Sequence, residues 1–250
     1  MLYITIGVLL WLPAIFGYGD FLSSLTDTPS VRERPALLFT FGGMALSIIA
    51  MAINIVIPLS PFIDLFLLVI GWILLFHFRL HFSGFGIAFL SLLAISFFSN
   101  NVPIYDAGLY YLQTVKWFTT SHLPIGLANL HGRFGFNSSW HVIAASLEIP
   151  FFEDKSSFLL NTAFVVAFVW EILSTKAKER STAHTFISLC VIPLIFLLLN
   201  NLTSSAAADL AITLLVFLTV YVFLLYQSDH LPLQEAQRVN LMLALFAFTI

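Results

Sequence analysis

The sequence predicts an all-α protein: a multi-pass transmembrane helical bundle with interfacial helices in one large external loop. Three observations predict it. Charged residues are only 9% of the 250 residues and hydrophobic ones are 60%, with mean hydropathy +0.98; a water-soluble domain needs far more charge to cover its surface. Apolar runs close to the length of a membrane span recur along the chain. Such spans are helical, because lipid offers no partner to an open backbone amide. The short alternating segments of an outer-membrane barrel do not occur.

Taken in order, the runs predict spans at 2–17, 36–58, 62–77, 84–99, 157–174, 184–200 and 209–226, and a partial one from 239. The runs at 62–77, 84–99 and 184–200 are marginal in length. Residues 1–18 lack the basic start and small-residue exit of a cleaved leader. Cys190, the single cysteine, lies in an apolar run and reads as a packing residue. The closing run LMLALFAFTI is shorter than the roughly 20 residues of a span, which is the expectation for an amino-terminal fragment of a longer protein. Two parts follow: amino-terminal transmembrane helices over 1–83, and a membrane module over 84–250 whose external loop is 100–156.

Charge fixes the expected topology. Of the 10 basic residues, Arg32, Arg34, Arg79, Lys176, Lys178, Arg180 and Arg238 fall in one set of connections, and Lys116, Arg133 and Lys155 in the other. Short loops rich in Lys and Arg stay cytoplasmic, so the first set faces inward and 100–156 outward. This needs the apolar stretch Trp140–Phe152 to lie at the interface rather than cross; a crossing would reverse the parity of every later loop. The outward acids are then Asp64, Asp106, Glu148, Glu153, Asp154 and Asp209.

Chemistry concentrates in that external segment. YDAGLYYLQTVKW, at Tyr105–Trp117, opens with a carboxylate on a helical-looking run, Asp106–Thr119. Asp106 either caps the helix, by attraction to its N-terminus, or heads a polar face with Tyr110, Gln113 and Trp117 at 3–4 residue spacing. The tyrosines and tryptophans also suit an interfacial aromatic belt. Downstream, SHLPIGLANLHGRFGFNSSWH is broken by Gly and Pro. Its Arg133 offers a planar fork to a phosphate, and His131 and His141 are candidate donors or proton shuttles. Their separation is not a metal-ligand spacing. Asp209 begins the span after the next external loop and reads as a helix-start acid or a second site carboxylate. No G-x-S-x-G, H-E-x-x-H, P-loop or C-x-x-C occurs. With net charge −3 and no basic stripe, nucleic acid is not an expected partner.

This order of parts resembles the GT-C class of membrane glycosyltransferases. An external loop opens on an acidic motif, passes through juxtamembrane helices, and is answered by a second acid from the next external loop. D-A-G-L-Y-Y is similar to the acidic opening of many bacterial members, and LHGRFGFNSSWH occupies the place of their later basic segment. The resemblance covers about 84–226. It implies a GT-C-like fold and transfer of a sugar from a polyprenyl-phosphate donor to a cell-envelope glycan, lipid or protein acceptor. The setting implied is a bacterial inner membrane, with the site facing the periplasm or exterior. It implies Asp106 as the base and Asp209 as the second carboxylate, which either orients the base or shares a divalent metal with it. Tyr110, Lys116, His131, Arg133, His141 and Lys155 are then the substrate-binding candidates. The cofactor stays open, a divalent metal being the candidate. Two departures stand out: Ala107 follows Asp106 where many members have another acid, and three extra spans precede the loop. Two readings from other classes remain: a transporter or flippase of a lipid-linked or anionic substrate, which calls for charges at mid-membrane, and a non-catalytic envelope scaffold. The enzyme reading requires Asp106, Arg133 and Asp209 to converge.

Overall fold

The computed structural model describes residues 2–78, 85–99, 104–135, 138–148, 156–174 and 182–250. Among them every regular element is helical. The long helices are α1 (Leu2–Thr26), α2 (Pro35–Asn54), α3 (Pro61–Phe78), α4 (Phe85–Ser99), α7 (Ser156–Ser174), α10 (Ala208–Gln227) and α11 (Leu233–Thr249). Shorter ones are α5 (Leu112–Thr120), α6 (Ser139–Ser146), α8 (Thr182–Leu189) and α9 (Val191–Leu199). Among the described residues, four helical stretches are long and apolar enough to cross a membrane: Leu2–Thr26, Pro35–Asn54, Thr182–Leu199 and Ala208–Gln227.

The boundaries differ from the sequence reading for local reasons. Helix α1 runs on to Thr26 instead of stopping near 17, through Gly17, Gly19, Asp20 and Ser23, all of them buried. Polar residues did not end it because Asp20 finds a charge partner: Arg32 Nε stands 2.5 Å from its Oδ1. The glycines serve contact with neighbouring helices. A side chain at Gly17 would collide with the Gly71 carbonyl of α3, and one at Gly42 with the Ile15 carbonyl of α1; small residues bring helix axes this close. The expected span 184–200 has a turn at Cys190, which is buried as expected. Helix α11 starts at Leu233, directly after Pro232, so its first turns carry Gln234, Glu235 and Arg238 ahead of the apolar run.

Helices α1, α2, α3, α4 and α7 pack against one another, and α10 and α11 close the assembly against α2 and α7. Its core includes Trp11, Phe39, Phe164, Trp140 and Phe246. Apart from bonds between the middles of α1 and α3, such as Trp72 Nε1 donating to the Leu10 carbonyl (3.0 Å), many long-range polar contacts gather at two opposite ends. At the Arg34 end, Arg34 donates to Tyr221 (3.1 Å), Tyr221 donates to Glu171 (2.9 Å), Ser30 N–H donates to Glu235 (2.7 Å) and Arg238 pairs with Asp27 (2.6 Å). At the Asn54 end, the Asn54 amide donates to the Phe118 carbonyl (3.0 Å), Ser139 meets Thr249 (2.9 Å) and Ser204 donates to the Ser99 carbonyl (3.2 Å).

Helix α6 covers part of one expected element. The sequence placed an interfacial helix over Trp140–Phe152. The described helix ends at Ser146, and Trp140 to Ser146 are all buried against α2, α5 and α7. It is too short to cross, at about 1.5 Å per residue. Residues 149–155 lie outside the described residues.

Candidate functional site

The site is built at the Asn54 end, starting from the run that opens on Asp106. Residues Ala107–Tyr111 form a π-helical turn, closed by Leu112 N–H donating to the Ala107 carbonyl, and α5 follows. A π turn carries an extra residue per turn and is common at functional sites. It changes which side chains share a face. The expected stripe of Asp106, Tyr110, Gln113 and Trp117 survives only at its start: Gln113 is exposed and Trp117 partly so. The tyrosine turned inward is Tyr111, 6% exposed, with its ring centroid 4.2 Å from that of Tyr110.

Arg133 joins Asp106 to this pair. It sits in the tight helical turn Gly132–Gly135, and its Nη1 lies 2.6 Å from Asp106 Oδ1. The guanidinium also covers the Tyr110 ring, 5.3 Å from the centroid, a favourable cation–π arrangement. The exposed His131 accepts the Arg133 backbone N–H on Nδ1 (3.3 Å), so in this geometry it shapes the arginine's turn.

Asp209 approaches from the other side. The Tyr111 hydroxyl donates to its Oδ2 at 3.4 Å, a long bond. The phenol is pushed well above its ordinary range, by burial first, then by Tyr110 and the charges of Asp209 and Asp106. Both carboxylates therefore act on one phenol, although Asp106 and Asp209 come from separate segments. His141 packs at a tilt against Tyr111 with centroids 5.3 Å apart. It is 2% exposed, and among the described residues neither ring nitrogen has a hydrogen-bond partner. Burial lowers its pKa to about 4, with the Ala206 backbone acting in the opposite sense.

The segment leading into Asp209 hangs on a residue the sequence reading passed over. Asn161 of α7 is fully buried. Its amide lies 2.8 Å from the Leu202 carbonyl, 2.8 Å from that of Ser205 and 3.2 Å from that of Ala207. Its Oδ1 accepts Trp140 Nε1 at 2.8 Å. An amide has two N–H groups to share among three carbonyls, and together they fold the loop that presents Asp209. The available signal was a lone asparagine in an apolar run, which calls for a partner. For Tyr111 the signal was the doubled tyrosine, hidden by the assumption of α-helical spacing.

Other candidates stand apart. Lys116 is exposed on α5 and enters none of these contacts. Lys155 lies outside the described residues. Asp64 is fully buried with both oxygens unpartnered and has Glu148 as a charged neighbour. Among the described residues no three His, Cys, Asp or Glu side chains gather as a metal site. Beside the Arg133 turn runs an open groove of about 920 Å³, with Met44, Ile48, Phe118, Leu127, Phe134 and Phe248 in its wall.

The fold and site define a class: an all-helical, membrane-associated protein whose polar and charged side chains at one end gather around a tyrosine pair. The chain belongs to the family described as a domain of unknown function, DUF8201, which matches residues 1–250. No curated protein and no solved structure matches it.

Proposed function

We propose that this chain is a multi-pass membrane glycosyltransferase of GT-C-like architecture that moves a sugar from a polyprenyl-phosphate donor to an extracytoplasmic acceptor. On this reading the Asn54 end faces outward and the Arg34 end faces the cytoplasm. The sorting of polar contacts agrees with the charge asymmetry: Arg32, Arg34 and Arg238 share one end, and the contacts of 105–148 fall at the other.

The observation that carries the reading is the gathering of Asp106, Arg133 and Asp209 around the Tyr110–Tyr111 pair. Sugar transfer to a hydroxyl needs a carboxylate to take the acceptor proton. It also needs fixed positive charge where the departing phosphate gains negative charge. Asp106 fills the first role and Arg133 the second, with His131 holding the arginine's turn. Asp209, held through Tyr111 and the Asn161-bound loop, orients the acceptor. The groove beside Phe134 suits an apolar tail, leaving the phosphate at Arg133. Transport is less well supported, because the buried acids Asp20 and Glu171 are paired at one end and Asp64 lies at the other, with no line of charges between them among the described residues.

The test is sugar transfer by membranes containing the full chain, supplied with polyprenyl-phosphate sugars and envelope acceptors. Asp106→Asn is expected to lower transfer about 100-fold or more, with membrane insertion and thermal midpoint unchanged. Transfer at the wild-type rate by this variant ends the reading.

A further inference from the structure

The Asp106–Arg133 contact joins two groups that the proposed reaction needs apart. A carboxylate lying on a guanidinium is turned away from an acceptor hydroxyl, and a guanidinium already holding a carboxylate has less of its fork to offer a phosphate. We propose that Arg133 and Tyr110 form an anion seat whose resting occupant is the chain's own Asp106 carboxylate, and that a phosphate ester displaces it and so frees the base. The identity of the ligand rests on the function proposed above; the exchange itself does not.

Four observations carry this. Among the described residues, Arg133 meets a carboxylate through Nη1 alone, on one oxygen, Asp106 Oδ1. A guanidinium fork can give a phosphate two parallel bonds. Second, the side chains of Arg133 and Asp106 are 44% and 41% exposed; ion pairs so exposed are weak and readily exchanged. Third, two contacts on Arg133 do not depend on Asp106: its guanidinium lies over the Tyr110 ring, 5.3 Å from the centroid, and its backbone N–H donates to His131 Nδ1. Fourth, Phe134, next in the chain, lines the apolar groove, so an amphiphile with a phosphate head reaches head and tail positions together.

The exchange makes Asp106 a competitor of the ligand. Removing its charge while keeping its size therefore strengthens anion binding, the opposite of what loss of a binding residue does. The experiment measures equilibrium binding of octyl phosphate, with inorganic phosphate as a second probe. It uses the full chain in dodecyl maltoside, which carries no phosphate. Asp106→Asn and Asp106→Ser are expected to bind octyl phosphate about three- to fivefold more tightly than wild type, the span of an exposed ion pair. Asp106→Glu should stay near wild type. Arg133→Gln should weaken binding about tenfold and abolish the gain from Asp106→Asn. A gain with both probes assigns the seat to the phosphate group alone; a gain confined to octyl phosphate assigns the tail a share. Unchanged or weaker binding by both neutral variants, at wild-type thermal midpoints, overturns the exchange, as does an equal gain in the Arg133→Gln background. The two proposals fail separately. Tighter binding with no sugar transfer by wild type removes the enzyme and keeps the exchange, whereas loss of transfer in Asp106→Asn without tighter binding does the reverse.

Discussion

The two ends of the helical assembly treat charge in opposite ways. At the Arg34 end two acids, Glu171 and Asp20, are buried and matched. Glu171 is 3% exposed at its side chain and Arg34 16%. The two Glu171 oxygens take the Tyr221 hydroxyl and the Ala36 N–H, and Asp20 has Arg32. At the Asn54 end the Asp106–Arg133 pair is open to solvent, while Asp64 and His141 are buried with no hydrogen bond. Buried charges with partners fix α1, α2, α7 and α10 in register. Half-exposed charges contribute little to the fold, and buried polar groups without a hydrogen bond count against it. The contrast separates an end held by matched, buried charge from the end where the proposed site lies.

The contrast breaks most sharply at Glu171. Deleting one partner of a buried network leaves the others desolvated and unpaired, which costs about 3–5 kcal/mol. Glu171→Ala is expected to lower the thermal midpoint of the detergent-solubilised protein by many degrees, together with transfer. Asp106→Asn, at the other end, should remove transfer while leaving the midpoint in place. A small stability effect at Glu171 would mean that the two ends do not differ as argued.

His141 sharpens the comparison through pH. Burial holds its pKa at about 4, below the ordinary 6.5. In the folded protein the ring stays neutral, while in the unfolded chain it binds a proton below 6.5. The unfolded state therefore takes up protons that the fold refuses between pH 6.5 and 4, and stability falls as pH drops through that window. The loss is about 3 kcal/mol by pH 4, with no contribution above 6.5. Thermal midpoints recorded from pH 7 to 4 should slope less for His141→Phe than for wild type, and parallel curves would contradict the burial argument.

Much of this was legible in the sequence, and the rest was hidden for identifiable reasons. Low charge and long apolar runs gave the helical class. The pairing of Asp106 with Arg133 was accessible because both lie in one polar segment, and Asp209 because loop parity put it at the same end. Tyr111 was hidden because the π turn departs from the 3.6-residue period on which Tyr110 was chosen. Asn161 was hidden inside an apolar run, since its partners lie about forty residues downstream in a loop with no recognisable motif. The Arg34–Glu171–Tyr221 network joins residues far apart in sequence, a proximity that only packing creates.

The smallest effect comes from a pair that looks, by distance, the same as the one in the site. Arg238 Nη1 lies 2.6 Å from Asp27 Oδ2, as Arg133 does from Asp106, but Asp27 is 83% exposed at its side chain. An ion pair this open is screened by water and salt and contributes about 0–1 kcal/mol. Arg238 also donates to the Asp27 carbonyl (2.9 Å) just past the end of α1, where carbonyls lack helical partners. Asp27→Asn, which keeps a residue suited to the left-handed backbone at this position, should therefore leave the thermal midpoint unchanged, and Arg238→Ala should lower it slightly because the backbone bond is lost too. Neither should move octyl phosphate binding. If Asp27→Asn tightened that binding as Asp106→Asn is expected to, the gain would reflect net charge rather than a carboxylate seated in the anion's place, and the exposed pair in the site would lose its distinction from the exposed pair at the opposite end.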